Sequence, residues 1–289
     1  MEKGYYNMRY RIIADSSSNI YNEDRLFSDK KQEYVSVPLK IITDEKEYED
    51  NETLDTAIMV EDLRNYKGKS GTSCPNVSDW LDAFGDADVI YGVTLTGSLS
   101  GCYSAAVQAR ADYIESHPEA KVLILDTLST GPEMELIIEK LIELIEEEKS
   151  FEEIETSIKA YMETTHLIFS LESLKNLVNN GRVNPAVAAV AGVLGIRIVG
   201  KASDEGTLQP LHKCRREKQL FRIMTKEMQE EGFKGGKVRI AHCMNEKGAQ
   251  LLADHIRETF GDCDISIRDC GALCSFYAEK GGILLGFEG

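Results

Sequence analysis

Runs of branched apolar residues that stop abruptly in clusters of Ser, Thr, Asp and Gly recur along this sequence, with helix-patterned stretches between them. Residues 9–14 (RYRIIA) read as a buried strand that runs into Asp15-Ser16-Ser17-Ser18, a group of turn and cap residues. Residues 34–42 (YVSVPLKII), 88–94 (DVIYGVT) and 122–126 (VLILD) read as further extended segments. Helical spacing of apolar residues begins over 78–84 and continues over 103–116 and 133–148. Strands alternating with helices imply βαβ units around a mostly parallel sheet. Such sheets bind ligands beyond the carboxyl ends of their strands, where the clusters at 15–18, 94–101 and 126–130 fall.

The second half has a different texture. Strand patterns at 166–170, 196–199, 238–241, 263–267 and 283–287 alternate with helical patterns at 171–179, 216–229 and 249–260. Asp204-Glu205-Gly206 is a hairpin turn signal, and 186–194 is an apolar run of small residues. Hairpins mixed with crossover helices predict a mixed sheet. The expectation is an α/β chain of two domains, residues 1–163 with a mostly parallel sheet flanked by helices and 164–289 with a mixed sheet and helices.

Charge narrows the function classes. A formal net charge of −16 disfavours general binding to nucleic acid or anionic membranes, which needs a basic footprint. One local basic run stands out, Lys213-Cys214-Arg215-Arg216-Glu217-Lys218. The seven cysteines are dispersed with no CxxC pair or zinc-like spacing, so they read as reduced thiols of a cytoplasmic protein. The start lacks the basic and apolar regions of a signal peptide, and no apolar run reaches the ~18–20 residues of a membrane span. No integral membrane association, metal or cofactor is expected.

Two segments are suited to hold an anion. Gly71-Thr72-Ser73-Cys74-Pro75-Asn76 precedes a helix start, where hydroxyls and backbone N–H groups can bind a carboxylate or phosphate, though spacing alone favours a plain N-cap with a Pro near the first turn. Thr94 to Tyr103 (TLTGSLSGCY) is a second such turn and is neither a Walker A loop nor GxGxxG. Asn179-Asn180-Gly181-Arg182 is a strong turn signal carrying an Arg. None of the five histidines lies in an HExxH or HxH arrangement, and there is no GxSxG elbow.

In order and spacing these segments resemble the DegV family of bacterial fatty-acid-binding proteins over nearly the whole chain. Ile13 to Ile20 is similar to the family's opening strand and DS(S/T) turn, and Val37-Pro38-Leu39 with Tyr48-Glu49-Asp50 to its VPL…Y.D segment. Thr72-Ser73-Cys74-Pro75 resembles TSQPS, Thr96 to Tyr103 resembles SS.LSGTY, and Asp126-Thr127 with Gly131 resembles DS…G. Leu177 to Val183 resembles L.KGGRI, and Cys214 to Lys218 resembles VRTRKK. The resemblance implies one long-chain fatty acid in an apolar ligand tunnel near the junction of the two domains, and no catalytic activity. Thr72 and Ser73 would form one clamp on the carboxylate, and Thr96, the Gly97 backbone and Ser98 a second. Arg215 would dock a separate ATP-dependent fatty acid kinase that makes acyl phosphate. Burying about 15 methylenes at ~0.8 kcal/mol each gives a gross gain of roughly 12 kcal/mol, an upper bound before ordering costs.

The chain departs from the family pattern in three places. The paired serines read Thr96-Gly97, one hydroxyl short. The late H.GPG segment reads Tyr277-Ala278-Glu279-Lys280-Gly281, so a phenol, which can donate a hydrogen bond but carries no proton charge near neutral pH, replaces an imidazole. GGRI reads Asn180-Gly181-Arg182-Val183. Two other readings use the same crevice: a lipid-sensing regulatory binding protein without kinase service, and an enzyme on a small polar substrate. The first predicts lipid binding without acyl transfer, the second a short polar pocket.

Overall fold

A computed structural model describes residues 8–22, 27, 32–184 and 195–289. The apolar run at 186–194 lies outside them. The first half is built on strands β1 (Tyr10–Asp15), β2 (Gln32–Val37), β6 (Val89–Thr94) and β7 (Lys121–Asp126), paired in the order β2-β1-β6-β7 and all parallel. Successive residues of a strand point to opposite faces, and β1 shows the consequence. Ile12 and Ala14 join one core and Ile13 the other. The Ile13 face is covered by α2 (Val77–Phe84) and α3 (Cys102–Ser116) through Trp80, Phe84 and Tyr113. The Ile12 face is covered by α4 (Pro132–Glu146) and α5 (Phe151–Met162) through Ile137, Leu141, Ile154 and Ile158.

The extended segment read over 34–42 is two strands in two sheets. Beyond β2 the chain turns at Pro38, which has no N–H to give a ladder, and Leu39 N donates to Ser16 Oγ at 3.0 Å. It resumes as β3 (Lys40–Thr43), the centre of a small antiparallel sheet between β4 (Glu47–Glu49) and β5 (Ser70–Ser73). Helix α1 (Thr56–Asn65) follows β4 and adds Met59 and Val60 to the core around Ile41.

The second half forms a six-stranded mixed sheet. Its strands are β8 (Thr165–Leu171), β9 (Arg197–Ala202), β10 (Leu208–Cys214), β11 (Lys237–His242), β12 (Asp264–Asp269) and β13 (Ile283–Glu288), in the order β10-β9-β8-β13-β11-β12. Only β11 and β12 run parallel. Helix α6 is confined to Lys175–Asn179, because Leu171, read from sequence as its start, still pairs with Ile198 in the sheet. Helices α7 (Glu217–Glu230) and α8 (Glu246–Phe260) cover one face over Ile168, Val199, Ile240 and Leu285. The opposite face, with Leu167, Phe169, Leu171 and Leu284, meets the small sheet, α1, α6 and a short helix, α9 (Ala272–Ala278).

The two halves meet across α4. Its first seven residues are all buried. A Cβ at Gly286 of β13 would stand 2.6 Å from the Pro132 carbonyl carbon, so glycine lets the start of α4 lie directly on that strand. The seam carries ion pairs as well: Glu139 of α4 accepts both forks of Arg239 of β11, and the buried Glu135 pairs with Arg268 at 2.9 Å. No described helix is long and apolar enough to cross a membrane.

Candidate ligand cavity

A cavity of about 350 Å³ opens between the carboxyl ends of β6 and β7, the small sheet and the inner face of β8. That lies at the low end of the roughly 300–1,000 Å³ usual for small-molecule sites. Leucine is the commonest residue of its wall, including Leu39, Leu95, Leu99, Leu171, Leu177, Leu208 and Leu284, with Phe169. Within β8 the period of two sorts the residues: Leu167, Phe169 and Leu171 face the cavity, while Ile168 lies in the core beneath α7. Leu128 joins the wall from a left-handed turn (φ 53°), a rare conformation for a side chain of this size.

Polar groups gather at one part of the wall. Thr72 and Ser73 come from the end of β5, Cys74 follows them, and Tyr277 reaches in from α9. Thr72 Oγ1 and Tyr277 Oη share a hydrogen bond of 2.8 Å. Asn76 caps α2: its side chain accepts from Ser78 N at 2.7 Å and Asp79 N at 3.2 Å, while Asp79 accepts from Asn76 N. The first N–H groups of α2 are therefore engaged, and Pro75 lies ahead of the helix. Helix α3 starts at Gly101, which has no side chain to cap it; Cys102 N donates to Ser100 Oγ at 3.3 Å, and Ser100 and Gly101 both line the cavity. Arg182, past the Asn-Gly turn in which Gly181 takes φ 73°, places its side chain in the same wall and donates to Leu99 O and Asn180 O. The Arg182 signal was present in the sequence, but not its place beside the hydroxyls of 72 and 73.

The Thr96–Ser98 turn is used differently. Thr96 lines the cavity, and its Oγ1 donates to Gly206 O at 2.8 Å. Ser98 Oγ donates to Glu205 O at 2.6 Å, and Gly97 N to Asp126 Oδ1 at 3.0 Å. Gly97 and Ser98 are exposed and stand outside the wall. The turn thus grips the hairpin between β9 and β10, whose Gly206 and Thr207 close that side of the cavity. Gly97 has a steric reason: a Cβ there would stand 2.8 Å from Asp126 Oδ2.

The Asp15–Ser18 cluster supplies no lining residue. Ser16 Oγ donates to Asp50 Oδ2 at 2.9 Å, Ser17 Oγ to Asp15 Oδ1 at 2.5 Å, and Ser18 Oγ meets Tyr34 Oη at 3.2 Å. The cluster is the seat of α9. Asp50 also accepts from Tyr21 Oη and from Ala272 N and Leu273 N, and Asn19 accepts from Gly271 N at 2.8 Å. A carboxylate at a helix start satisfies donors the helix itself cannot. These bonds fix the helix that carries Tyr277. Burial pushes the Asp15 carboxyl up to about 6, against the hydrogen bonds from Ser17 and Leu95 N.

Arg215 lies far from this wall, exposed on the loop between β10 and α7 with Arg216 and Lys218 beside it. Lys280, at the departing proline position, pairs with Glu61 of α1 at 2.8 Å. Among the described residues no group of three His, Cys, Asp or Glu could hold a metal.

The family model described as "Uncharacterised protein, DegV family" matches residues 9–288. This chain belongs to the DegV family. A DegV domain-containing protein of Streptococcus pneumoniae is 41% identical over 97% of this chain and 99% of its own length. Among solved structures, a DegV family protein from Eubacterium eligens loaded with heptadecanoic acid is 45% identical with TM-score 0.92, covering 96% of this chain and 99% of that one. The Fatty Acid Kinase (Fak) B3 protein of Streptococcus pneumoniae loaded with linoleic acid is 41% identical with TM-score 0.93, covering 97% of this chain and 99% of that one. The parallel first sheet and mixed second sheet are thus those of DegV proteins that carry fatty acids.

Proposed function

We propose that this chain is a cytoplasmic carrier that binds one long-chain fatty acid in the leucine-lined cavity, with residues 1–163 and 164–289 as the two units that enclose it. The observation that carries the reading is an apolar cavity with the bonded hydroxyls of Thr72 and Tyr277 in its wall, in a chain 45% identical to a protein loaded with a saturated C17 acid. The acyl chain lies along Phe169 and the leucines. The carboxylate meets Thr72, Ser73 and Tyr277, with the Arg182 guanidinium and the start of α3 supplying positive potential. Thr96 lines this wall with its hydroxyl proton committed to Gly206 O. Ser98 serves the carboxylate indirectly, by holding the 204–206 hairpin, and Gly97 by tying the turn to Asp126.

The test is titration of delipidated chain with palmitate by calorimetry. One site per chain, with a negative heat-capacity change from apolar burial, is expected. No uptake of palmitate or oleate, together with binding of a small polar metabolite, would replace this reading with the polar-substrate one.

Likeness to the Fak B3 protein supports a second step, presentation of the bound acid to a separate fatty acid kinase through the exposed run at Arg215. The chain itself supplies no ATP site in this reading. Mixing the loaded chain with a fatty acid kinase catalytic subunit and ATP should yield acyl phosphate. Lipid binding without acyl phosphate would favour a purely sensing role.

A further inference from the structure

Two thiols meet at the polar wall of the cavity. Cys74 lines it and is half-buried, whereas Cys102 opens α3 and is fully buried behind it. Cys74 packs against the buried cluster to which Cys102 belongs. A Cβ on Gly101 would stand 3.1 Å from Cys74 Sγ, so that sulfur rests on the backbone one residue ahead of Cys102. The remaining five cysteines are buried, and burial pushes Cys243 up to about 11 and Cys274 up to about 12. Cys74 goes the other way, held down to about 6 by the hydrogen bond from Cys102, the Gly101 N–H and the Arg182 charge. Thiolates at helix starts beside cations are the reactive ones. Fatty acid binding makes no use of a thiol.

We propose that Cys74 and Cys102 form a hydroperoxide-sensitive pair, with Cys74 the attacking thiolate and Cys102 the resolving thiol. The Cys74 thiolate attacks one oxygen of hydrogen peroxide. An S–O bond forms, the O–O bond breaks, and hydroxide leaves to become water on taking a proton. Sulfur is oxidised by two electrons to the sulfenic acid and the peroxide is reduced. Cys102 then gives up its proton and attacks the Cys74 sulfur. The S–S bond forms, the S–O bond breaks, and hydroxide leaves as water with that proton. With Cys74 Sγ resting on the backbone one residue ahead of Cys102, a rearrangement of the loop after β5 would bring the sulfurs to the ~2.05 Å of a disulfide. A small external thiol returns the pair to the reduced state by exchange. The disulfide would tie the loop after β5 to the start of α3, the two segments that border the ligand's carboxylate. An acyl occupant would in turn cover Cys74 and slow its oxidation, a coupling that rests on the fatty acid reading above.

The test treats the delipidated full chain with hydrogen peroxide and maps the cysteines by mass without reduction. A 74–102 disulfide is expected, with the other five thiols unmodified. Cys102→Ala should stop at a sulfenic acid on Cys74, trapped by dimedone, and Cys74→Ser should leave Cys102 unmodified. Cys74 left as free thiol while other cysteines react, or paired elsewhere, would overturn the proposal. Chain shown by mass to hold palmitate should form the disulfide several-fold more slowly, and equal rates would overturn the coupling. Failure to take up palmitate would instead count against the fatty acid reading, while mapping of the empty chain would still judge the thiol pair.

Discussion

Thr72 and Tyr277 stand 205 positions apart in the chain and share one hydrogen bond at the cavity wall. In that bond one hydroxyl donates and the other accepts, so the accepting one keeps its proton for a carboxylate. A hydrogen bond to a charged group contributes about 1.5–3 kcal/mol, so Tyr277→Phe should weaken palmitate binding by roughly ten- to a hundredfold in a calorimetric titration. Methyl palmitate, which has no charge to lose, should bind the variant and the parent alike. Arg182→Gln should show the same selectivity, and equal loss for acid and ester would place Arg182 outside the carboxylate site. The hydroxyl-rich turns were legible as candidates because Ser and Thr after a strand are suited to cap or to bind. Which of them bind was not legible. Ser16 and Ser17 look like Thr72 and Ser73 in sequence, but Asp50, 34 residues on from Ser16, claims one of them, and no local pattern announces that partner.

Among the elements, strands ending in polar clusters were plain, because buried parallel strands leave dense apolar runs. Three helices were not. Helix α9 (ALCSFYA) has no polar face, so it shows no 3.6-residue alternation. In α1 only Met59 and Val60 are buried, too narrow a stripe to register. Helix α5 is amphipathic and carries a capping box from Ser150 to Glu153, a start signal that was there to be read. The seating of α4 on β13 yields a prediction at this level. Gly286→Ala would force a methyl into the Pro132 and Glu133 backbone, and overpacking of this kind costs about 1–3 kcal/mol. Urea denaturation should show a lower midpoint with an unchanged slope. An unchanged midpoint would mean that α4 does not lie on the strand as described.

For the molecule as a whole, the parallel and the mixed sheet were readable from the change in texture between the two halves of the sequence, but the seam that joins them was not. It depends on a helix buried on both sides and on ion pairs across about 100 residues, such as Arg239 with Glu139. Inside the seam Glu133 is buried with Thr165 Oγ1 donating at 2.8 Å, and burial pushes its carboxyl up to about 7. A carboxyl raised on folding holds its proton longer in the native state. Its contribution is therefore full below the unfolded value and is lost as pH rises through about 7. The thermal midpoint should fall between pH 5 and pH 8, and Glu133→Gln, which cannot ionise, should flatten that fall. An equally steep fall in the variant would assign it to the net charge of −16 instead.

A ligand bound only by the folded chain stabilises it, by about 2.7 kcal/mol at a hundred times Kd, and a tight carrier should leave the cell already loaded. Native mass spectrometry of the freshly purified chain, followed by solvent extraction and identification of what leaves it, tests that directly. One long-chain fatty acid per chain, displaced by excess palmitate and weakened in Tyr277→Phe, is the predicted result. A chain that carries no lipid and takes up neither palmitate nor oleate would contradict the account.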